Sequence, residues 1–598
     1  MKIKHFFGLA VIAAMTASCS SNEDLGTAGP GTGTNESGVS YASITIDLPT
    51  TSGTRATTND QFDGGTPSEY AVKDATLLIF KKTKTSKNEN DYTFVESADL
   101  GNLEPWKKGD TANGITTEAT ITAELKSATV GEDGDYYALV ILNNKYHDDD
   151  DNKDKAKVSM PSSTDTYGTW NAATTVKNLI DYKKGFYMAN APEFKADDQE
   201  PTTLVPIKGI YRTKEEAHSK PGTTVHVERG LAKVTVGKGT GDDYFTGAKA
   251  SGSNYSSDKV QITKWALDVT NTKSFPVHVT SGLKDGITPT NPTDQKVPAY
   301  AEIWSNTAAT TGKATTKRFV SQLPAEGAFK RVYWGIDPNY SMGLTELDKC
   351  KEQFTLVKAD GSDATWKSST EPLYCLENTF DINNMKQGQT TRVLLKATYT
   401  PSAVEKETDK TFFMIGKSSD IWTTTTLKAQ IASKAKEALS LTTDPTVVLK
   451  EGLLKGGTHF LTTENVSIKD GETEKINTPD LVATLNNKLG LDKTNGVGIK
   501  TYQNGESYYI ARIKHFGDDL TPWEAGNENY GGKNLEWLGR YGVLRNNWYN
   551  LTIEKISGPG YPDVPEVKPG TPDDEDTKYI NVSVKILDWA KRSQKVEL

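Results

Sequence analysis

The clearest pattern in the chain is a strict alternation near each end. Ala42, Ile44, Ile46 and Leu48 alternate with Ser43, Thr45 and Asp47. A period of two puts one face of a β-strand into a core and turns the other away. At the far end Ile580, Val582, Val584 and Ile586 alternate with Asn581, Ser583 and Lys585. Further strand-like runs fill the space between: 75–80, 119–125, 136–142, 204–211, 224–227, 231–236, 259–271, 275–279, 331–335, 390–399, 508–516 and 547–556. Pro206 marks 204–211 as an edge strand, because proline has no N–H for a ladder. Three segments read as helix. One is 175–182. Another is 426–439, where Leu427, Ile431, Ala435 and Leu439 recur four apart. The third is 479–489, capped by Thr478 with Pro479 in the first helical position. Short strands in this number predict a mainly β protein of β-sandwiches, with a boundary near Pro221-Gly222.

The first residues form an address. Lys2 and Lys4 precede a short apolar stretch, Phe6 to Met15, which ends in Ala17, Ser18 and Cys19. This is secretory signal architecture, too short to span a bilayer as a mature helix. The cysteine after small residues resembles a bacterial lipobox, which implies cleavage before Cys19 and diacylation of it; an ordinary signal peptide with an incidental cysteine is the alternative. Acyl chains contribute about 0.8 kcal/mol per buried methylene, so two anchor a precursor firmly. Ser20 to Asp24 resembles the acidic export tag of surface lipoproteins, and 25–38 is a Gly-, Thr- and Pro-rich tether.

Both terminal strands are joined to the body by breaker-rich segments. Arg55 follows the first strand in a polar loop, so a trypsin-like or Arg-specific protease cutting before Ala56 would release 19–55. The lipid and a sheet strand would leave together. The last strand follows 558–577, which is rich in Pro, Gly and Asp and reads as a flexible linker. Two fates satisfy that strand: an edge of its home sheet, or a groove in a neighbouring copy, where backbone bonds give affinity and alternate side chains give register. The second is a head-to-tail contact and builds filaments.

Composition narrows the function. The chain has 598 residues with 35% hydrophobic, 9% aromatic and a formal charge of −9. An acidic chain has no electrostatic pull toward nucleic acid, which is set aside as a partner. The three cysteines form no CxxC pair, and Cys350 and Cys375 are either a disulfide or two thiols. No His pair has HExxH spacing, and neither GxSxG nor a Walker A motif is present. No enzymatic activity, cofactor or metal site is therefore expected. Asp148 to Asp151 with Asp154 reads as a solvated loop, since it lacks the Gly and closing Glu of a calcium loop. Trp523, Tyr530, Trp537, Tyr541, Trp548 and Tyr549 form either a sandwich core or a glycan platform.

Four segments carry a family resemblance: 331–340 (RVYWGIDPNY), 374–380 (YCLENTF) with 389–393 (QTTRV), 539–549 (GRYGVLRNNWY), and 227–234 (VERGLAKV). Together they resemble the Bacteroidales type V pilins, the fimbrillin family, in the branch of the major subunit of short fimbriae. The resemblance implies two transthyretin-like β-sandwich domains with a few inserted short helices. It also implies export as an outer-membrane lipoprotein, a cut after the Arg behind the first strand, and polymerisation with the C-terminal segment as donor. Arg55 and Ala56 match the cut. Ala42, Ile44, Ile46 and Leu48 match the displaced strand. Ile580, Val582, Val584, Ile586 and Trp589 fall in the donor segment. The implied layout is a signal peptide at 1–18, a lipidated propeptide at 19–55, sandwiches at 56–222 and 223–557, and linker plus donor strand at 558–598. The implied partners are other copies in a head-to-tail fibre, anchor and tip subunits, and the processing protease. A fibre of this kind supports adhesion or biofilm formation. A monomeric, anchor or tip lipoprotein that binds glycans is the alternative. The 400–530 stretch is a departure: it is long, and its helices match no known role in the family.

Overall fold

The structure is a computed structural model. It describes residues 38–48, 66–101, 103, 117–130, 133–150, 152–173, 176, 178–193, 201–280, 332, 334–381, 384–476, 478–516, 538–573, 580–587 and 592–593. It is mostly strands in several sheets, with few and short helices.

The first sheet has eight strands. It contains β1 (Ser40–Leu48), β2 (Thr117–Leu125), and, after the short helix α1 (Lys214–His218), β3 (Thr223–Arg229). Strands Thr93–Gly101, Ala75–Lys81, Tyr136–Leu142 and Met188–Asn190 extend it beyond β3, with Val205–Pro206 paired at the side. The inward residues of these strands share one core with Tyr167, Trp170, Tyr187 and Phe186. β3 belongs to this sheet, so the chain crosses to the next at Gly230-Leu231 rather than at Gly222.

β4 (Ala232–Lys238) begins the second unit. Its five-stranded sheet runs Leu373–Cys375, β4, β5 (Trp548–Ile556), β6 (Ile580–Leu587), Arg592–Ser593. A four-stranded sheet, with Lys259–Asp268, Arg392–Thr400 and Glu506–Arg512 as its long members, packs against it. Val234, Leu551 and Ile553 from one sheet meet Trp265, Leu395 and Tyr509 from the other in a single core. That is the arrangement of a sandwich.

The insertion between these strands has a core of its own. Two three-stranded sheets enclose α2 (Thr424–Ala438) and α3 (Pro479–Lys488), with Leu427, Ile431, Ala435, Val482 and Leu485 buried between them. Both helices start where their caps predict: the hydroxyls of Thr423 and Thr478 accept from backbone N–H groups three residues on.

Some expected elements are absent or shortened. Of the helix expected at 175–182, residues 175 and 177 lie outside the described residues, and 178–181 form a turn in which Asn178 is left-handed at φ 52° and its carbonyl accepts from Asp181 N. The helical turn lies earlier, at Tyr167–Asn171, under a Thr166 capping box. Of 204–211, Val205–Pro206 forms a short strand and Tyr211 a single bridge to Tyr41. The 275–279 run keeps one bridge, Val279 to Ile336, while the Val277 N–H goes to Asn171 Oδ1 at 2.7 Å.

Candidate functional site

β1 is an interior strand. It runs parallel to β3, from Ile44 opposite Thr223 to Asp47 opposite His226. It runs antiparallel to β2 along its whole length, from Ser40 opposite Leu125 to Leu48 opposite Thr117. Ala42, Ile44 and Ile46 are fully buried and Leu48 is 2% exposed. Burying each of the three larger side chains contributes about 2 kcal/mol.

In the plane of the sheet, Tyr41 also exchanges backbone hydrogen bonds of 2.8 Å with Tyr211. The outer face of β1 is covered as well. α1 lies against β1 and β2. Ser43 and Thr45 are buried beside Gly222, where a Cβ would stand 2.6 Å from Thr45 Oγ1 and 3.1 Å from Ser43 Oγ. Thr45 also shares a 2.9 Å hydrogen bond with Thr120 on β2. Asp47 is the more open position: its side chain keeps 23% of its surface, 3.6 Å from His226 Nε2. Taking β1 away would strip ladder partners from β2 and β3 at once and open the first core.

β6 occupies a different kind of place. Its one long neighbour is β5, where Ile580, Val582, Val584 and Ile586 stand opposite Ile556, Ile553, Leu551 and Tyr549. On its other side its ladder partner among the described residues is the short Arg592–Ser593. Trp589 lies outside the described residues, as do Cys19, Arg55 and Ala56.

Residues 558–573 are a docked strap, where the sequence leads one to expect flexible linker. Tyr561 exchanges backbone hydrogen bonds with Tyr508. Tyr509 Oη donates to Gly558 O at 2.8 Å, and Tyr502 Oη donates to Gly560 O at 2.9 Å. Val564 and Val567 are buried. Arg392 pairs with Asp268 at 2.7 Å and also donates to Pro565 O. At the end of the strap the fully buried Asp573 meets Arg512 Nε at 2.9 Å and accepts from Thr390. Burial lifts the Asp573 carboxyl above the usual range, against the pull of Arg512. A proline-rich backbone has few N–H groups, so its carbonyls are met by side-chain donors from the sandwich.

The segments that carry the resemblance converge at the junction of the first sheet and the second unit. His278 Nδ1 lies 2.8 Å from Glu228 of β3, and its Nε2 lies 3.7 Å from Glu377. Arg545 faces Glu377 at 3.4 Å. Asp337 accepts from Thr379 N, Asn339 N and Asn271 Nδ2. Nearby, Lys233 Nζ is 2.7 Å from Glu69 and 4.0 Å from the Trp548 ring. Burial opposes the charge on Glu69, yet Lys233 and the Tyr374 hydroxyl hold its carboxyl below the usual range. Breaking such buried pairs costs several kcal/mol, which ties the two units together. Alternation cannot reveal these residues; the sequence signal is the motifs in which most of them lie.

The other expected chemistry resolves simply. Trp523, Tyr530 and Trp537 lie outside the described residues, whereas Tyr541 and Tyr549 are buried. Asp148 pairs with Lys155, and Asp154 sits 3.2 Å from both His147 and Lys184, across a hairpin; Asp151 lies outside the described residues. Among the described residues no cluster of His, Cys, Asp or Glu is arranged to hold a metal ion. Cys350 and Cys375 are separate buried thiols, and burial pushes the Cys375 thiol up to about 12.

Comparison with known proteins agrees with the motifs. Residues 500–595 match the C-terminal domain of fimbrillin, the major fimbrial subunit protein type IV. Similar solved structures include a putative cell adhesion protein from Parabacteroides distasonis (9% identity, 94% of this chain and 99% of that one, TM-score 0.34). Another, from Bacteroides eggerthii, is 11% identical over 92% of this chain and 96% of that one, with a TM-score of 0.28. The tip fimbrial protein Mfa3 of Porphyromonas gingivalis is 8% identical over 92% and 100%, with a TM-score of 0.27. No curated protein sequence matches the chain. Residues 500–595 are thus similar to the C-terminal domain of the fimbrillin family.

Proposed function

We propose that the protein is a stalk subunit, exported as a lipoprotein anchored through Cys19 and cut between Arg55 and Ala56. It then polymerises by strand exchange. The cut lets β1 leave, and the groove takes up the C-terminal strand of the next copy, Ile580, Val582, Val584 and Ile586 with Trp589 beyond. Each copy offers one groove and one tail, so the product is a head-to-tail fibre. Anchor and tip subunits would close its ends, and the fibre would serve adhesion or biofilm formation. The observation that carries this reading is the interior position of β1: a strand with two ladder neighbours, just ahead of the cleavable Arg55. The strand proposed to replace it sits at a sheet edge, with one long neighbour to leave.

Limited trypsin treatment of the purified precursor tests the proposal. The expected products are an N-terminus at Ala56 and SDS-resistant ladders, and deleting 579–598 is expected to abolish the ladders. A clean cut at Arg55 with only monomer would refute strand exchange. On cells, an N-terminal Ala56 is expected; an acylated Cys19 on the fibre would refute the processing step.

A further inference from the structure

We propose that Gly222 sets the register and direction of the incoming strand: Ser583 takes the place of Thr45, Lys585 takes that of Asp47, and the strand runs the same way as β1. This rests on the strand-exchange reading above and specifies its joint.

β1 fills four inward positions, 42, 44, 46 and 48, and three outward positions between them, 43, 45 and 47. The outward positions are unequal. At 45 the hydroxyl lies 2.6 Å from where a Gly222 Cβ would be, and at 43 the corresponding distance is 3.1 Å. Both side chains are small and buried, at 8% and 4% exposure. Position 47 is partly open. Gly222, one residue before the β3 residue that pairs with Ile44, therefore flanks the middle of the groove and leaves room there for Ser or Thr.

The C-terminal strand has the same count, four apolar residues (580, 582, 584, 586) and three polar ones between them. A shift by one residue turns every apolar side chain outward. A shift by two leaves an inward position without its apolar residue and drives Asn581 or Lys585 against Gly222. With all four inward positions filled, Ser583 lies beside Gly222 in either direction, because it is the middle polar residue. Lys585 then decides the direction. Running as β1 does, it reaches position 47 and keeps its ammonium in water. Reversed, it reaches position 43, where a buried, unpaired ammonium is strongly disfavoured.

Cysteine pairs on the full-length precursor read the geometry directly. In the ladder with β2, positions 47, 45 and 43 face Glu118, Thr120 and Thr122. Lys585→Cys is combined in turn with Glu118→Cys, Thr120→Cys and Thr122→Cys, cut with trypsin, oxidised, and boiled on a non-reducing gel. The expected result is an intersubunit disulfide with Glu118→Cys, in at least about tenfold excess over the other two. A product with Thr122→Cys would overturn the direction, and one with Thr120→Cys would overturn the register. No product from any pair that still forms ladders would overturn the placement. Separately, Ser583→Leu is expected to cut ladder yield by about tenfold or more through overpacking beside Gly222, whereas Lys585→Leu is expected to preserve it. Wild-type ladders from Ser583→Leu would remove Gly222 from its role. If ladders survive deletion of 579–598, strand exchange itself fails, a result separate from any of these.

Discussion

β1 and β6 look alike as sequence and are held very differently. Each shows four apolar residues in strict alternation. β1 has a ladder on both sides, continued by Tyr211 at Tyr41, with a core below, α1 packed against it and Gly222 close to Ser43 and Thr45. β6 has one long neighbour, and it follows a strap pinned by Asp573. Alternation marks where a strand can be used; the number of neighbours sets what its departure costs. An edge strand regains its backbone bonds wherever it lands, so exchanging it is nearly neutral. An interior strand leaves two open edges, which favours irreversible removal by proteolysis over spontaneous release.

The largest expected effect tests this asymmetry directly. Ile44→Asp puts a charge in the first core and should lower precursor stability by about 4 kcal/mol or more, enough to unfold it. Val584→Asp should leave the precursor's thermal midpoint within about 2 °C and stop only ladder formation. Thermal melts of the two precursors side by side decide it, and equal losses would break the comparison. Next in size is the strap. Arg512→Ala leaves Asp573 buried without its cation and should cost about 3–5 kcal/mol in urea unfolding of the second unit. Loss confined to the few residues of the strap would show that the pair is a local latch.

Much of this fold was legible in the residues, and the exceptions share a cause. The alternation at 42–48 placed β1 to within a residue, and the Leu427–Ala435 spacing and the Thr478 cap placed both longer helices. These are local signals. What the residues hid depends on partners far away. The Pro-, Gly- and Asp-rich composition of 558–573 is the same whether the segment is free or docked; the outcome lies with Tyr502, Tyr509, Arg392 and Arg512, dozens of residues earlier. Glu69, in the helical turn Pro67–Tyr70, and Lys233 of β4 meet with nothing periodic to announce them. The crossing at Gly230 was missed because 224–227 and 231–236 look like one β region, although they belong to different sheets.

A smaller effect acts on the unit that holds β1 and spares β6. The fully buried Lys157 donates to Gly185 O at 2.7 Å. Burial brings its ammonium down from the ordinary 10.5 to about 8, despite Asp181 and Asp74 nearby. Below pH 8 the buried charge weakens the fold in full. As pH rises through 8 the folded protein sheds the proton while the unfolded chain keeps it, so stability climbs until about pH 10.5 and then levels off. The gain should approach about 3 kcal/mol. Lys157→Met should be the more stable protein at pH 7 and should lack this climb. Parallel urea titrations at pH 7 and 10 measure the difference, and an equal climb in both proteins would assign it to other groups.

The smallest effect distinguishes a pinned strap from a movable strand. Protein cut after Arg55 keeps two cysteines, Cys350 and Cys375, both buried. Cys350 lies against the strap: a Cβ at Gly388 would meet both its Sγ and Pro569 Cα at 2.8 Å. Cys375 lies in the sandwich core. Deleting 574–598 should therefore leave both thiols slow toward a thiol reagent. Asp573→Ala should raise labelling of Cys350 by about tenfold through local opening and leave Cys375 unchanged. If the deletion alone uncovers Cys350, the strap is held from its tail rather than from Asp573, and strap and strand move as one. If it does not, the tail can cross to a neighbour while its root stays bound to its own subunit, and a fibre joint can then form without loosening the second unit.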